Sequence, residues 1–174
     1  MRSSSATTNL VVIADTHLRS DPHGSLRRWL PPAAESYLEA ADLILHAGDV
    51  LEDGVLQRLR TYAPVHAVLG NNDLDLVGLL PQTLVLDLAG VRVGMIHDSG
   101  PTAGRARRLK RRFPDADVVI FGHSHAPVNE NGEDGQLLFN PGSPTQRRAQ
   151  RSHSLGEILI EAGTIVDARI LTLD

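Results

Sequence analysis

Two histidines two residues apart, His123 and His125, directly follow a short apolar segment of the chain. The segment, residues 118–121, is a continuous apolar run that ends at Gly122, which is typical of a buried β-strand. Imidazole nitrogens bind divalent metal ions, and two imidazoles at one strand end can point to one ion or to two neighbouring ions. An H-x-H pair also occurs in surface loops and in hydrogen-bonded histidine pairs, so this segment alone leaves both interpretations open.

The same arrangement occurs near the N-terminus. Residues 9–14 form a β-branched run that predicts a buried strand, and Asp15 and His17 follow it. Side chains two residues apart in an extended chain point to the same side, so Asp15 and His17 can share one metal ion. Taken alone, the tripeptide fits a capping aspartate followed by a solvated histidine equally well.

Three further predicted strands end in potential ligands: residues 42–46 before Asp49, residues 65–69 before Asn71, and residues 91–96 before His97. The carboxyl ends of strands in open α/β sheets meet in one crevice, so side chains far apart in sequence become neighbours there. We therefore expect one metal-binding cluster made of Asp15, His17, Asp49, Asn71, His97, His123 and His125. His46 lies inside its strand pattern, and we expect it in the core or behind the ligands.

The donor atoms of this cluster are oxygen and nitrogen only, because the chain contains no cysteine. Such donors bind Mn²⁺, Fe²⁺, Ni²⁺, Co²⁺ and Zn²⁺, and the donor set by itself does not choose among these ions. The lack of cysteine also excludes a disulfide framework.

The segments that would position these side chains alternate between helix and strand patterns. Helices are predicted over residues 25–30, 33–41, 51–62 and 102–113, the first two being separated by Pro31 and Pro32. Residues 83–88 and 91–96 predict a hairpin, and residues 155–160 and 164–173 predict the last two strands. Residues 129–135 are rich in Gly, Asn and Glu and predict a loop.

The composition limits the classes of protein that fit. A chain of 174 residues predicts a single domain over residues 1–174, with residues 1–8 as a flexible N-terminus. A formal net charge of −4 argues against nucleic-acid binding by bulk electrostatics. No apolar run resembles a signal or a membrane span, so we expect a cytoplasmic protein without a membrane partner. The oligomeric state stays open, a homo-oligomer included.

Taken in order, the motifs resemble those of the calcineurin-like metallophosphoesterases, and specifically their small bacterial and archaeal phosphodiesterase branch. The matching motifs are D-x-H at 15–17, G-D at 48–49, G-N-x-D at 70–73, His97, G-H-x-H at 122–125, and the trailing N-P-G-S at 140–143. The resemblance covers nearly the whole chain. It implies an α/β fold, a four-layer α/β/β/α sandwich of two mixed β-sheets flanked by helices.

The resemblance also implies a binuclear metal centre. Asp15, His17 and His125 would bind one ion, Asp49 would bridge, and the second ion would be bound by Asn71, His97 and His123. Two divalent ions about 3.5–4 Å apart can lower the pKa of a bridging water enough to supply a hydroxide near neutral pH. We therefore expect a phosphodiesterase that acts on a small phosphate-ester or nucleotide-type substrate, with Mn²⁺ favoured and Ni²⁺, Fe²⁺, Co²⁺ or Zn²⁺ as alternatives.

Five further residues are candidates for catalytic or substrate-binding roles, with Asn72 and Asp73 as the catalytic candidates. Many members of the family have His where this chain has Asn72, and an amide cannot protonate a leaving group. Asp73 and His23 are therefore the candidates for a general acid, if water does not supply the proton. Arg147 and Arg148 are candidates for binding the phosphate, since a guanidinium matches phosphate oxygens, although both also fit a solvated loop.

The main alternative is a non-catalytic metal-binding scaffold or protein-interaction module on the same fold. The seven retained ligand side chains favour the enzyme over this scaffold. A third hypothesis, RNA binding by the six basic residues within 105–112, lacks aromatic side chains for stacking and an overall positive charge. We interpret those basic residues as the solvated face of a helix.

Overall fold

The computed structural model describes residues 6–21 and 29–174 and contains two β-sheets of five strands each. The first sheet has the strand order β10-β9-β1-β2-β3, with β1 at Thr8–Ile13, β2 at Leu43–His46, β3 at Val65–Ala67, β9 at Ser154–Glu161 and β10 at Thr164–Thr172. The second has the order β4-β5-β6-β8-β7, with β4 at Thr83–Leu88, β5 at Val91–Ile96, β6 at Val118–Ile120, β7 at Val128–Asn131 and β8 at Leu137–Asn140.

Both sheets are mixed, and each contains three adjacent parallel strands. Strand β1 pairs in parallel with β2, and β2 with β3, whereas β9 and β10 run antiparallel. In the second sheet β5, β6 and β8 are parallel, and the two edge strands are antiparallel to their neighbours. The carboxyl ends of the parallel strands therefore share one edge in each sheet.

Among the described residues, three α-helices cover the outer faces of the two sheets. They are α1 at Pro32–Glu39, α2 at Asp53–Leu59 and α3 at Arg105–Arg112. Helices α1 and α2 pack on the first sheet through a buried cluster that includes Leu38 and Leu56, and Leu109 of α3 packs on the second sheet. A third cluster lies between the sheets and joins Leu10 and Val12 to residues of β5 and β6. These three layers of core confirm the predicted α/β/β/α sandwich.

Strand β1 shows why its sequence is apolar throughout rather than alternating. Leu10 and Val12 face the core between the sheets, whereas Val11 and Ile13 face the helices, and all four are fully buried. A strand that is covered on both faces needs apolar side chains at every position. The strand is thereby fixed at the centre of its sheet, which fixes the position of the residues that follow it.

Some predicted elements differ from those observed. The predicted loop 129–135 is wrong at its start, because Val128–Asn131 forms the edge strand β7, antiparallel to β8. An edge strand is held by main-chain hydrogen bonds and needs no buried face, so its polar sequence shows no strand pattern. Residues 25–28 of one predicted helix and residues 1–5 of the predicted flexible terminus lie outside the described residues, whereas Thr8 already belongs to β1.

Over the described ranges, 6–21 and 29–174, the longest helices have eight residues, and none has the length and apolar character needed to cross a bilayer.

The contact between α3 and β5 predicts a stability effect. A Cβ atom added at Gly94 would lie 2.8 Å from Cδ1 of Phe113, a side chain that is 4% exposed. We expect Gly94→Ala to lower the free energy of unfolding by about 1–3 kcal/mol through overpacking, as measured by urea denaturation.

A matched control is Gly54→Ala in α2, where the added Cβ would meet only Oγ of Ser20 at 3.9 Å. This change should be neutral or stabilising by up to about 1 kcal/mol, because alanine favours helices over glycine. Equal effects of the two substitutions would contradict the close packing of Phe113 on β5.

Candidate metal centre

The parallel strands of both sheets end at one polar cluster. Asp15 and His17 follow β1, Asp49 follows β2, Asn71 follows β3, His97 follows β5, and His123 and His125 follow β6. All seven side chains predicted as ligands are brought together in this way, although their assignment as ligands remains a prediction. The seven side chains are referred to below as the ligand cluster.

One half of the ligand cluster consists of Asp15, His17 and His125. The Nε2 atoms of the two histidines are 3.3 Å apart, and Oδ1 of Asp15 is 3.5 Å from Nε2 of His125 and 3.9 Å from Nε2 of His17. One ligand atom from each of the three residues lies within 4.8 Å of the other two. That spacing is compatible with three ligands of one cation.

The other half is centred on His97. Its Nε2 atom lies 3.0 Å from Oδ1 of Asn71 and 3.5 Å from Oδ2 of Asp49, and Nδ1 of His123 lies 3.0 Å from the same Asn71 oxygen. Asp15, Asp49 and His97 also offer ligand atoms within 4.8 Å of one another. Nε2 of His97 in this half therefore lies within 4.0 Å of an oxygen of each carboxylate.

Asp49 lies between the two halves. Its Oδ2 atom is 3.4 Å from Nε2 of His17 and 3.5 Å from Nε2 of His97. A single carboxylate in that position contacts histidines from both halves, which is the geometry that a bridging ligand requires.

The hydrogen bonds of two histidines test whether the ligand cluster fits a metal ion. Nδ1 of His97 faces the carbonyl oxygen of Ala47 at 2.7 Å, and Nδ1 of His125 faces that of Gln146 at 2.5 Å. A carbonyl only accepts, so Nδ1 donates in each case, and a neutral ring then directs the lone pair of Nε2 into the ligand cluster. Metal-binding histidines are oriented in this way, so the donor set fits a metal ion.

Asp15 gives a second and independent indication. It is fully buried, and its Oδ2 atom has no hydrogen-bond partner among the described residues. An unpartnered buried carboxylate oxygen is costly unless a cation compensates it. The ligand cluster therefore fits a cation on two separate grounds.

Burial and charge shift the pKa values of the ligand cluster in different directions. Burial raises the pKa of Asp15 to about 7 and lowers the pKa values of His17 and His125. For His97, burial opposes the charged form, but the hydrogen bond with Asp49 raises its pKa overall. Burial also opposes the charge of Asp49, but hydrogen bonds from His97 and Asn72 hold its pKa well below the usual range.

Five members of the ligand cluster have left-handed backbone conformations that non-glycine residues rarely adopt, with φ between 44° and 69°: Asp15, His17, Asp49, His123 and His125. Such conformations cost about 1–3 kcal/mol each and concentrate at functional sites. They turn the chain sharply after each strand and direct the side chains inward.

Asp73 and Asn72 both contact the Asp49 loop. The buried carboxylate of Asp73 accepts hydrogen bonds from the backbone N–H groups of Asp49 (3.0 Å), Leu51 (2.7 Å) and Gly70 (2.7 Å). Asn72 donates from its backbone N–H to Oδ1 of Asp49 at 2.9 Å and from its side-chain amide to Oδ2 at 2.7 Å. Both residues thus position Asp49, and a direct role of Asp73 in proton transfer stays a prediction. His23 lies outside the described residues.

The two candidate arginines differ in their surroundings. Arg147 donates from its guanidinium to the carbonyl oxygens of Gln150 and Arg151 in its own loop. Arg148 has no hydrogen bond or ion pair within the described part of the chain, but after burial its charge contributes to the lowered pKa values of His17 and His125. Of these two arginines, Arg148 is therefore the one whose guanidinium has no hydrogen-bond partner among the described residues.

Sequence reasoning assigned no role to three residues behind the ligand cluster. Oγ of Ser143 donates to the backbone oxygen of Asp15 at 2.8 Å, and Oγ1 of Thr145 donates to that of Thr16 at 2.7 Å. Asn140 donates from its side-chain amide to the backbone oxygen of Gly122 at 3.0 Å. The motif at 140–143 marked two of these residues, whereas no sequence signal marked Thr145.

His46 is buried in the core, as its place in a strand pattern predicted. Its Nδ1 atom accepts from the backbone N–H of Gly48 at 3.2 Å, so Nε2 carries the proton and donates to Oγ1 of Thr16 at 3.0 Å. Burial lowers its pKa to about 3, which keeps the ring neutral.

Comparisons with known proteins agree with this geometry. The sequence profile of the calcineurin-like phosphoesterase superfamily domain matches residues 9–162. A probable metallophosphoesterase of Methanothermobacter thermautotrophicus is 37% identical over 139 residues, which cover 79% of this chain and 77% of the relative. The chain therefore belongs to the calcineurin-like phosphoesterase superfamily, a family of metal-dependent phosphoesterases.

Two solved structures are similar in fold. Vacuolar protein sorting 29 from Cryptosporidium parvum superposes with a TM-score of 0.74 at 18% identity, covering 95% of this chain and 98% of that protein. A novel archaeal phosphodiesterase superposes with a TM-score of 0.69 at 19% identity, covering 95% and 100%. At these identities the likeness shows the fold alone.

The raised pKa of Asp15 predicts a pH-dependent stability of the metal-free protein. The folded state keeps the Asp15 proton up to about pH 7, whereas the unfolded chain releases it near pH 3.8, so this contribution to stability is lost as the pH rises between those values. Asp15→Asn removes this titration. We therefore expect the free energy of unfolding of the variant, relative to that of the unmodified protein, to be higher at pH 8 than at pH 5 by on the order of 1–4 kcal/mol.

Urea denaturation in a chelator at the two pH values measures this difference. Asp75→Asn, at an exposed carboxylate, is the control and should show no pH-dependent gain. Added Mn²⁺ should stabilise the unmodified protein and have less effect on Asp15→Asn. A difference between the variant and the unmodified protein that is the same at both pH values would contradict the buried-acid account of Asp15.

Proposed function

We propose that this chain is a phosphodiesterase that uses two divalent metal ions, with Mn²⁺ favoured. The observation that carries the proposal is the position of Asp49, whose Oδ2 atom lies 3.4 Å and 3.5 Å from histidine nitrogens in the two halves of the ligand cluster. Two nitrogen-containing halves around one shared carboxylate favour two ions over one.

When bound, two divalent ions lower the pKa of a shared water and neutralise the oxygens of a phosphate. The chain supplies two carboxylates to such a centre, Asp15 and Asp49, whose charge offsets only half of that of the two ions. The pocket would stay cationic although the chain as a whole has a net charge of −4. A phosphate ester is therefore the class of substrate that the electrostatics favour.

The residues around the ligand cluster fix its geometry before substrate binds. Ala47 and Gln146 orient the rings of His97 and His125 through their carbonyl oxygens, and Asn72 holds both oxygens of Asp49. Preorganised donors and acceptors avoid reorganisation during the reaction. Arg148 adds a guanidinium that matches phosphate oxygens.

The absence of an imidazole at Asn72 favours diesters and activated esters over alkyl monoesters. An amide cannot protonate a leaving oxygen, and general acid catalysis is typically worth about 10²–10⁴-fold. The shared fold with an archaeal phosphodiesterase supports the proposal at the level of fold. We propose a small phosphate-ester or nucleotide-type molecule as substrate.

The second candidate function is a non-catalytic scaffold. It is favoured by the fold shared with vacuolar protein sorting 29 and by three exposed apolar side chains in the segment after Asp73, namely Leu74, Val77 and Leu79. A metal-loaded protein that hydrolyses none of a panel of phosphomonoesters, phosphodiesters and nucleotides would favour the scaffold.

The number of metal ions tests the binuclear part of the proposal. Elemental analysis of protein reconstituted with Mn²⁺ should approach two equivalents, and this protein should hydrolyse diesters in the panel. Asp49→Ala should reduce both metal content and activity more than the loss of any terminal ligand, because both ions lose a partner. Asp75→Ala is the control. One equivalent in the unmodified protein, retained in Asp49→Ala, would contradict two ions.

The proposed contact between Arg148 and the substrate phosphate predicts a loss of activity when Arg148 is replaced. We expect Arg148→Ala to lower kcat/KM for an aryl phosphodiester about tenfold or more. Arg148→Lys should lower kcat/KM less, because lysine keeps the positive charge but cannot form the two parallel hydrogen bonds of a guanidinium. Arg147→Ala should have the smaller effect, since Arg147 binds carbonyls of its own loop. Arg151→Ala is the control in the same loop, and an effect equal to that of Arg148→Ala would exclude a specific phosphate contact.

Asn72 predicts a steep dependence of rate on the leaving group. For a series of methyl phenyl phosphodiesters with substituted rings, log kcat/KM should fall steeply as the pKa of the phenol rises. Asn72→His should flatten that slope if its ring reaches the leaving oxygen. Asn72→Ala, which removes the side-chain hydrogen bond to Asp49, should lower the rates and keep the slope. A shallow slope in the unmodified protein would show that another acid is present.

A further inference from the structure

A cleft of about 390 Å³ opens directly beside the ligand cluster. Asn71 and His97 line both the cleft and the ligand cluster, so a molecule bound at the metal centre can extend into the cleft without leaving it. Small-molecule sites typically have volumes of roughly 300–1,000 Å³. The size and the continuity together make this cleft a candidate subsite for the part of the substrate beyond its phosphate.

Apolar side chains form much of the cleft, among them Leu74, Val77 and Ile96. Leu74 is 78% exposed and Val77 is 66% exposed, which leaves them in contact with water in the free protein. Covering such side chains with an apolar group is favourable, in proportion to the apolar area removed from water.

The segment that presents Leu74 and Val77 is held in place. It begins with a 3₁₀ turn at Leu74–Leu76, which directly follows the buried Asp73. The side chain of Leu76 is 1% exposed and anchors the turn, and the backbone N–H of Leu80 donates to its carbonyl oxygen at 3.1 Å. Leu74 and Val77 are therefore exposed on a fixed support rather than on a loose loop.

The charged groups of the cleft are of both signs. Asp98 and Arg112 line it, as does Asp73, whose carboxylate accepts three backbone N–H groups, whereas Gln82 and Thr83 are neutral. A second phosphate or a basic group would meet both attraction and repulsion there. A neutral apolar group meets the exposed walls without this conflict.

We propose that this cleft binds an apolar, ring-sized substituent of the phosphate ester and that Leu74 and Val77 determine the preference for it. The proposal rests on the proposed function, because it assumes that the phosphate lies at the metal centre. The class of substrate is thereby narrowed to esters in which one substituent is aryl or similarly apolar. In this proposal Leu74 and Val77 contact the apolar substituent and not the phosphate at the metal centre. Both therefore affect specificity and not the chemical step.

Binding of two phosphonates tests the proposal without turnover. Isothermal titration calorimetry of the Mn²⁺-reconstituted protein compares phenylphosphonate with methylphosphonate, which share the anionic group and differ in the apolar substituent. We expect phenylphosphonate to bind about tenfold more tightly, as burial of part of one ring provides. Leu74→Ser and Val77→Ser should each reduce this ratio by at least half and leave the affinity for methylphosphonate unchanged.

Leu79→Ser is the matched control. Leu79 is 69% exposed and lies in the same segment, but it does not line the cleft, so its replacement should leave the ratio unchanged. If Leu79→Ser reduces the ratio of the two phosphonate affinities by the same amount, the cleft proposal is wrong, and a general apolar surface is indicated instead. Self-association of the unmodified protein that all three substitutions abolish would identify a second copy as the occupant instead.

The outcomes separate this proposal from the one on which it rests. If both phosphonates bind with equal affinity, the cleft proposal is wrong and the metal-bound phosphate site stands. If neither phosphonate binds to the metal-loaded protein, the proposed function fails, and the cleft proposal fails with it.

Discussion

The burial of the Asp15 carboxylate is the constraint on which the rest of the structure depends. Burial raises its pKa to about 7, and one of its oxygens has no hydrogen-bond partner among the described residues. The carboxylate is held closely by residues 122 and 123. A Cβ at Gly122 would lie 2.9 Å from Oδ2, and the backbone N–H of His123 donates to Oδ1 at 3.2 Å. Such a group destabilises the metal-free fold and favours any state in which a cation lies beside it.

Backbone hydrogen bonds between the loops after β1 and β2 hold Asp15 in place despite its unfavourable burial. Beyond the paired residues of β1 and β2, the backbone N–H of Asp15 donates to the oxygen of Gly48 at 2.9 Å, and that of His17 donates to the oxygen of Asp49 at 3.0 Å. The two ligand loops thus continue to pair after their strands have ended. Residues in left-handed conformations persist only when their surroundings over-determine them, and this pairing supplies that support.

The sequence predicted the strands that carry the ligand cluster because two physical signals coincided there. Strand β1 is buried on both faces, so it is apolar throughout, and its end is marked by an abrupt change to Asp15. Strand β7 gave no such signal, because an edge strand without a buried face can be polar at every position. The four-layer arrangement itself followed from the family resemblance, since the alternation of helix and strand patterns is compatible with other α/β folds.

The roles of individual residues around the ligand cluster were less predictable than the position of the cluster itself. Asp73 follows Asn71 and Asn72 in sequence and was a candidate acid, yet its carboxylate accepts three backbone N–H groups from two loops. Two of these contacts, with Asp49 and Leu51, join residues 24 and 22 positions apart, and no local pattern encodes them. Thr145 shows the same limit, because its hydroxyl donates to a backbone oxygen, for which side-chain motifs give no indication.

The structure therefore separates two kinds of residue by the way they are held. The ligand cluster lies at the ends of hydrogen-bonded strands, where a displacement would break sheet pairing, so its geometry is tied to the stability of the fold. Arg148 and Leu74 lie on exposed segments outside the sheets, and the side chain of neither is needed to close a core. Under the proposed function, changes at such positions would alter contacts to a substrate at little cost in stability, whereas changes at Asp15 or Asp49 would affect folding and metal binding together. In that function the sheets fix the metal centre, and the loops determine the choice of substrate.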